Sequence, residues 1–105
     1  PPSAPWPAVD VFDAPPAAGR VLLMQYQCGG CHHIGGVDGA RGRSGPPLLR
    51  VSARSYLAGR VPNAPERLAR WIVDPAALVP DTTMPAMGVR PAEARAMAAY
   101  LWSSR

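Results

Sequence analysis

Lysine is absent from this sequence, and all eleven basic residues are arginine. No run of these arginines alternates with aromatic residues, as is typical of chains that bind nucleic acid, so we exclude that class of partner. The longest aliphatic run, residues 21–24, is far shorter than the ~20 apolar residues that span a bilayer. No secretion signal is recognisable either, and we interpret the sequence as a mature protein or a trimmed soluble fragment.

The length of 105 residues predicts one domain with a modest core, to which a bound apolar group would add much of the interior. The formal net charge is +4 and the isoelectric point is about 9.8. A surface of this charge suits an acidic face on a protein partner. An ordinary solvated surface accounts for most of the arginines equally well.

Cysteine is scarce as well: the two that occur flank two glycines in the run Cys28-Gly29-Gly30-Cys31-His32. The spacing C-x-x-C-H is the attachment signature of a c-type haem. Thiols at this spacing can add to the two vinyl groups at one porphyrin edge, and the imidazole of the next residue can then reach the iron. We therefore predict one haem c, covalently bound through Cys28 and Cys31, with His32 as an iron ligand.

Two other uses of these thiols stay open. A disulfide or a thioredoxin-like dithiol has the same C-x-x-C spacing, but it belongs in a βαβ pattern and the strand signals here are weak. A zinc site could combine Cys28 and Cys31 with His32 and His33. Adjacent histidines rarely face one metal, and no second pair of ligands follows downstream to complete a tetrahedron.

Proline and glycine divide the chain into segments. Residues 1–16 hold six of the fourteen prolines and are predicted as a linker or a surface strap, with Trp6 and Phe12 as anchors. The domain itself is predicted over residues 17–105. Five glycines within residues 35–47 predict an irregular loop whose backbone can lie close to a flat cofactor.

Periodic apolar residues between these segments predict helices and no convincing strand, so we expect an all-α fold of three to four helices with long loops. The first helix, which Asp13 could cap, should bury a stripe that includes Leu22 and Tyr26 together with Ala18. The second should begin with a capping box, formed by Asn63 and Glu66. The predicted helices cover about residues 15–27, 64–73 and 91–102.

The second iron ligand has five candidates, four methionines and one histidine. His33 directly follows the proximal ligand and cannot reach the opposite haem face. Met24 and Met97 lie in predicted helices and are interpreted as packing residues. Met84 and Met87 lie in a proline-rich loop that can hold a thioether rigidly; we favour Met84 and keep Met87 as the alternative. A histidine–methionine pair favours ferrous iron and raises the reduction potential.

These features resemble the small class I cytochromes c over residues 17–103. The family's G-P-x-L element matches Gly-Pro-Pro-Leu at residues 45–48. The resemblance implies the small cytochrome c fold wrapped around one haem, with thioether bonds at both cysteines. It also implies that His32 is the proximal ligand and that its Nδ1 donates a hydrogen bond to the carbonyl of Pro46, which orients the ring.

The family's proline-to-methionine loop matches the segment from Asp74 to Met84. The spacings, nine residues from Pro75 to Met84 and four from Pro80, fit the family's pattern. The resemblance therefore selects Met84 over Met87 as the second iron ligand.

Contacts with the haem propionates are implied as well. Arg54 and Trp71 stand where many family members place an arginine and a tryptophan near a propionate. Tyr56 and Thr82 are weaker candidates for the same role. The alternative interpretations are a core aromatic for Trp71 and a solvated surface charge for Arg54.

The run from Gly45 to Pro85 also resembles the cytochrome c domains that are fused or tethered to haem–copper oxidases. It contains the A-G-x-x-x-N and W-I-x-D-P elements of that group, which begin at Ala58 and Trp71. The resemblance implies a monomer in the periplasm or another extracytoplasmic compartment, with an N-terminal membrane tether and a terminal oxidase or dehydrogenase as redox partner. Without lysine, the docking face would be built from arginines, such as Arg20, Arg41 and Arg43.

The predicted function is one-electron transfer between respiratory or periplasmic partners, without enzymatic turnover, because both axial positions of the iron are filled. One alternative is a five-coordinate haem enzyme or gas sensor of the peroxidase type, which needs an open distal site. Another is a haem relay domain of a larger redox enzyme. A visible spectrum separates the electron carrier from the five-coordinate haem enzyme or sensor, since sulfur-ligated ferric haem has a weak red band that a haem with an open site lacks.

Overall fold

The structure is a computed structural model that describes residues 16–103. This part of the chain contains four α-helices and one short β-hairpin. Two 3-10 turns, Cys28–Gly30 and Val51–Ala53, lie between them. The all-α class predicted from the sequence is confirmed. The elements are α1 (Pro16–Gln25), β1 (Tyr56–Leu57), β2 (Val61–Pro62), α2 (Pro65–Val73), α3 (Pro75–Leu78) and α4 (Pro91–Ser103).

Residues 1–15 and 104–105 lie outside the described part of the chain. The predicted linker falls there, together with its anchors Trp6 and Phe12 and the predicted cap Asp13. Pro16, which we assigned to the linker, is instead the first residue of α1, because the fixed φ of proline suits the first turn of a helix. Within residues 16–103, no helix is both long enough and apolar enough to cross a membrane.

The helices α1 and α4 cross in direct backbone contact at Gly19. A Cβ at this position would overlap the carbonyl group of Ala96 in α4. Leu23 and Met97 are buried beside the crossing, whereas Ala18, which the sequence placed on the buried stripe, is exposed. The periodicity missed this geometry because glycine does not count as an apolar residue, although its lack of a side chain allows the close approach.

The helix α2 has the buried and exposed faces that the sequence predicts. Leu68 and Ile72 are buried, and Arg67 and Arg70 are exposed. At Pro75 the chain turns directly into α3, inside a segment predicted as loop. A helix of four residues is too short to show the apolar repeat that identifies longer helices.

The predicted capping box between Asn63 and Glu66 is wrong, because α2 begins without a side-chain cap. The side-chain amide of Asn63 donates instead to the carbonyls of Val51, at 2.8 Å, and Arg54, at 2.9 Å. Glu66 accepts a hydrogen bond from Nε of Arg95, at 3.1 Å. Arg95 is a buried guanidinium, only 4% exposed, and burying such a charge without a partner is costly.

The hairpin of β1 and β2 was not predicted. Ala58 and Gly59 turn it, with φ angles of 51° and 72°, and the amide of Arg60 closes it by donating to the carbonyl of Leu57 at 3.0 Å. Positive φ at both central residues is the geometry of a type I′ turn, whose twist matches that of the strands. Alanine in the first of these positions hides the signal, since asparagine or aspartate is usual there.

The chain just after α1 is tied to α4 by a hydrogen bond from the hydroxyl of Tyr26 to Oε1 of Glu93, at 2.6 Å. This bond is the main reason why the pKa of the Glu93 carboxyl lies below its ordinary value of 4.5, and the backbone amide of Arg90 is the second. Glu93 therefore stabilises the fold above about pH 4.5. That contribution is lost as the pH falls through the lowered pKa of the folded state.

We expect Glu93→Gln to flatten the acid side of the stability profile. Below about pH 4.5 the Tm of the wild type should fall more steeply than that of the variant, whose residue 93 does not titrate. Thermal unfolding of the holoprotein over a series of pH values measures both slopes. Tyr26→Phe should act in the same direction, and Asp38→Asn, an exposed carboxyl elsewhere, is the control. Equal slopes for the wild type and Glu93→Gln would contradict the assignment.

Candidate functional site

A cleft with a volume of about 250 Å³ opens among the loops, the hairpin, α2 and α4. Its volume is several times the ~30 Å³ that one water molecule occupies in the liquid, so it has room for a large ligand. One side of the cleft is formed by the cysteine motif and the residues after it, and another by residues 82–85. Its aliphatic walls are Leu48, Val51, Leu57, Leu68, Ile72 and Leu101.

The cysteine motif does not continue α1 but forms its own tight turn. α1 ends at Gln25, Gln27 adopts the left-handed conformation with φ 57°, and the 3-10 turn Cys28–Gly30 follows. The amide of His32 then donates to the carbonyl of Cys28 at 3.0 Å. Both thiols are free: that of Cys31 reaches the cleft, and Cys28, which is not part of the cleft wall, is half-buried. Burial is the main cause that raises the pKa of the Cys28 thiol.

Glycines allow the following loop to pack directly against this turn. A side chain at Gly29 would run into Ala40, and one at Gly42 would run into the backbone of Gly30. The amide of Gly42 donates to the carbonyl of Gly29 at 3.0 Å. The close backbone approach that we predicted for this glycine-rich loop is therefore made to the cysteine motif itself.

The imidazole of His32 is oriented by one hydrogen bond. Its Nδ1 lies 2.7 Å from the carbonyl oxygen of Pro46, the contact that the family resemblance implies. A carbonyl oxygen only accepts, so Nδ1 carries the proton, and in the neutral ring Nε2 keeps its lone pair. Gly45 lies directly against the ring, where a Cβ would overlap it, and its amide donates to the carbonyl of Cys31 at 2.7 Å. His32 is thus held in the form that can bind a metal.

The four methionines, all within residues 16–103, occupy different environments. Met84 lines the same cleft as His32. Met87 is 48% exposed and is not part of the cleft wall, while Met24 is 44% exposed on α1. Met97 is fully buried in the core between the helices, as predicted. Met84 is therefore the one methionine within residues 16–103 that lines the cleft of His32.

Three of the four residues predicted to contact the haem propionates lie in the same cleft. Arg54, Trp71 and Thr82 line the cleft, and the guanidinium of Arg54 donates to the carbonyl of Pro47. Tyr56 is 57% exposed and does not line the cleft. The difference arises because Tyr56 lies on β1, where alternate residues face opposite sides and its neighbour Leu57 takes the cleft side.

Asn63 supports the cleft instead of capping α2, the role predicted from the sequence. Its two bonds to the carbonyls of Val51 and Arg54 hold the backbone that presents both residues to the cleft. Its buried Oδ1 has no hydrogen-bond donor among the described residues. The A-G-x-x-x-N element, which ends at Asn63, is a sequence signal for this position. The start of α2 two residues later favours a capping role instead.

The residues of the cleft fit the haem that the C-x-x-C-H motif predicts. An imidazole nitrogen with a free lone pair and a thioether sulfur are the ligands that iron takes in histidine–methionine cytochromes. The aliphatic walls suit the apolar macrocycle, Cys31 lines the cleft beside His32, and neither cysteine is in a disulfide. Within residues 16–103, no three side chains of histidine, cysteine, aspartate or glutamate group together as a metal site.

Comparison with known proteins agrees with this geometry. Residues 16–105 match the family model described as Cytochrome c, which confirms the predicted fold. The chain is also 35% identical over 86 residues to a protein named cytochrome c oxidase subunit 2 from Alkalihalophilus pseudofirmus. The match covers 81% of this chain and 24% of the relative, so the chain spans about a quarter of that protein's length.

Proposed function

This chain belongs to the cytochrome c family, and from that premise we propose that it transfers single electrons through one haem c. The haem would be attached at Cys28 and Cys31 and ligated by His32 and Met84. When bound, it supplies the Fe(II)/Fe(III) couple. With His32 and Met84 as the two protein ligands, no position on the iron would be open to a substrate, and the protein would act as an electron carrier rather than an enzyme.

The observation that carries this proposal is the common cleft of His32 and Met84, with His32 fixed by Pro46. A donated Nδ1 proton makes the imidazole a better donor through Nε2 and prevents the ring from turning. The thioether of Met84 is a soft ligand that favours ferrous iron. Its backbone amide donates to Oγ1 of Thr82 at 3.2 Å, which braces the segment that presents the sulfur.

The other cleft residues control charge and water. The aliphatic walls would keep water away from a bound haem, which would disfavour the ferric form and raise the reduction potential. Arg54, Trp71 and Thr82 would face the haem propionates, where the guanidinium of Arg54 offsets their charge. Asn63 keeps Arg54 in place through the backbone bond described above. Tyr56 is left out of this set because its side chain lies outside the cleft.

We also propose that the chain is an extracytoplasmic relay domain, residues 16–105, which the residues before it link to a membrane-bound partner such as a terminal oxidase or a dehydrogenase. The similarity to a protein named as an oxidase subunit supports this. Arg41 and Arg43 are exposed and precede cleft residues 44–46, so they suit docking to an acidic face. Arg20 is less suitable, since its Nε donates to the carbonyl of Gly36 at 2.5 Å.

Substitution of the two loop methionines tests the ligand assignment. Met84→Ala should remove the weak red band of the ferric holoprotein, open the ferrous iron to CO, and lower the potential by on the order of 0.1 V, within the ~0.8 V range that axial ligands set. Met87→Leu, the matched control, should change none of these. Visible spectra and a potentiometric titration measure them.

The opposite pattern, in which only Met87→Leu removes the band, would show that the ligand assignment is wrong. A wild-type protein that lacks the band and binds CO immediately would instead support the five-coordinate haem enzyme or gas sensor.

A further inference from the structure

An ion pair joins the hairpin to the segment that contains Met84. Nη1 of Arg60 lies 2.6 Å from Oδ1 of Asp81, and Nη2 lies 3.1 Å from Oδ2. The two parallel bonds give the fork geometry in which a guanidinium binds a carboxylate best. Arg60 follows the tight turn of the hairpin, so the position of its backbone is fixed by that turn.

The two partners lie next to two different segments of the cleft wall. Leu57 and Ala58, just before Arg60, line the cleft. Residues 82–85, just after Asp81, line it as well. The ion pair therefore connects the two segments outside the cleft, three residues from the sulfur ligand that we propose.

Little else fixes the Met84 segment to the rest of the described chain. Its other hydrogen bonds are local: the amide of Thr82 donates to the carbonyl of Val79 at 3.0 Å, and the amide of Met84 donates to Oγ1 of Thr82. Residues 85–88 are exposed. A segment with few long-range bonds opens at low cost, so a single bidentate contact can change how often it opens.

We propose that Arg60 and Asp81 are a positioning pair that holds the Met84 segment against the hairpin and so limits how easily an external ligand displaces the sulfur from iron. The inference rests on the proposed function, since it presupposes that Met84 is the axial ligand. The pair touches neither the ligand nor the cleft interior and acts only through the backbone between Asp81 and Met84.

Binding of imidazole to the ferric holoprotein, at a pH well above the pKa of the free ligand so that the ligand is uncharged, tests the pair, because imidazole competes directly with the methionine sulfur. Arg60→Gln and Asp81→Asn should each tighten imidazole binding about two- to five-fold, the range expected from an exposed ion pair of good geometry. The double variant should bind no tighter than either single variant, because both remove the same contact. Arg50→Gln, at an exposed arginine outside the cleft wall, and Asp38→Asn make the same charge changes elsewhere and should leave the affinity unchanged.

The red band of the ferric protein supplies a second measurement. It should disappear at a lower temperature in either single variant, whereas Asp81→Glu, which keeps the carboxylate, should restore part of the loss. If the wild type shows the red band but both single variants bind imidazole with unchanged affinity, the inference is overturned and the proposed function stands. A wild type that binds imidazole as tightly as Met84→Ala would overturn both.

Discussion

Gly45→Ala should leave the haem attached but disrupt the ligation by His32 that we propose. The added Cβ would overlap the imidazole, and the backbone at Gly45 cannot retreat freely because its amide is bonded to Cys31 and Pro46 follows. The ring must therefore move, and the hydrogen bond from Nδ1 to the carbonyl of Pro46 breaks. Loss of such an orienting partner typically weakens metal binding by about 10–100-fold.

Two measurements separate the effects of this substitution. Haem content, measured on denatured protein, should be unchanged, because the thioether bonds depend on Cys28 and Cys31 alone. The visible spectrum of the native protein should change from a six-coordinate to a largely high-spin form. Gly30→Ala is the matched control, since a Cβ at Gly30 meets no atom within 4 Å. An unchanged spectrum for Gly45→Ala would show that the ring has another stable position with the same ligation.

Gly19→Ala should destabilise the fold by about 3 kcal/mol, the upper part of the range for overpacked cores. In an exposed helix the same change would stabilise by about 1 kcal/mol, because alanine is the better helix former. Here the Cβ would overlap the backbone of Ala96, which no side-chain rotation can relieve, so α1 and α4 must separate. A decrease in the free energy of unfolding would therefore indicate the close helix crossing, whereas an increase would indicate an exposed helix position.

Denaturant unfolding of the holoprotein, followed by helical circular dichroism, measures this energy. Ala18→Gly, at the exposed neighbouring position, is the control and should cost only the helix-propensity difference of about 1 kcal/mol. If Gly19→Ala proved as stable as the wild type or more so, the close crossing of α1 and α4 would be contradicted.

The glycines show how far a motif can be interpreted from sequence. The pattern C-x-x-C-H treats its two middle positions alike, and here both are glycine. In the structure, Gly29 is packed against Ala40, whereas Gly30 borders open space. The distinction depends on a loop that returns to the motif eleven residues after Gly29, and no local pattern encodes that return.

The polar residues near the cleft make the same point. Asn63 and Glu66 have the spacing of a capping box, yet their hydrogen bonds go to the 51–54 turn and to α4. Tyr56 seemed a candidate for the site, but the pleat of a strand too short to predict gives the cleft side to Leu57. A partner distant in sequence determined the role of the side chain in the first case, and the pleat of a short hairpin determined it in the second.

The sequence by itself determined the attachment motif, the three main helices and the family, because each depends on residue types at short, fixed spacings along one chain. The family resemblance also selected Met84 and implied the hydrogen bond from His32 to the carbonyl of Pro46. Only the tertiary structure decided that α1 crosses α4 at Gly19 and that Asn63 braces the backbone of the 51–54 turn. These features depend on how distant segments pack, since the space available to each side chain is set by atoms far away in the chain.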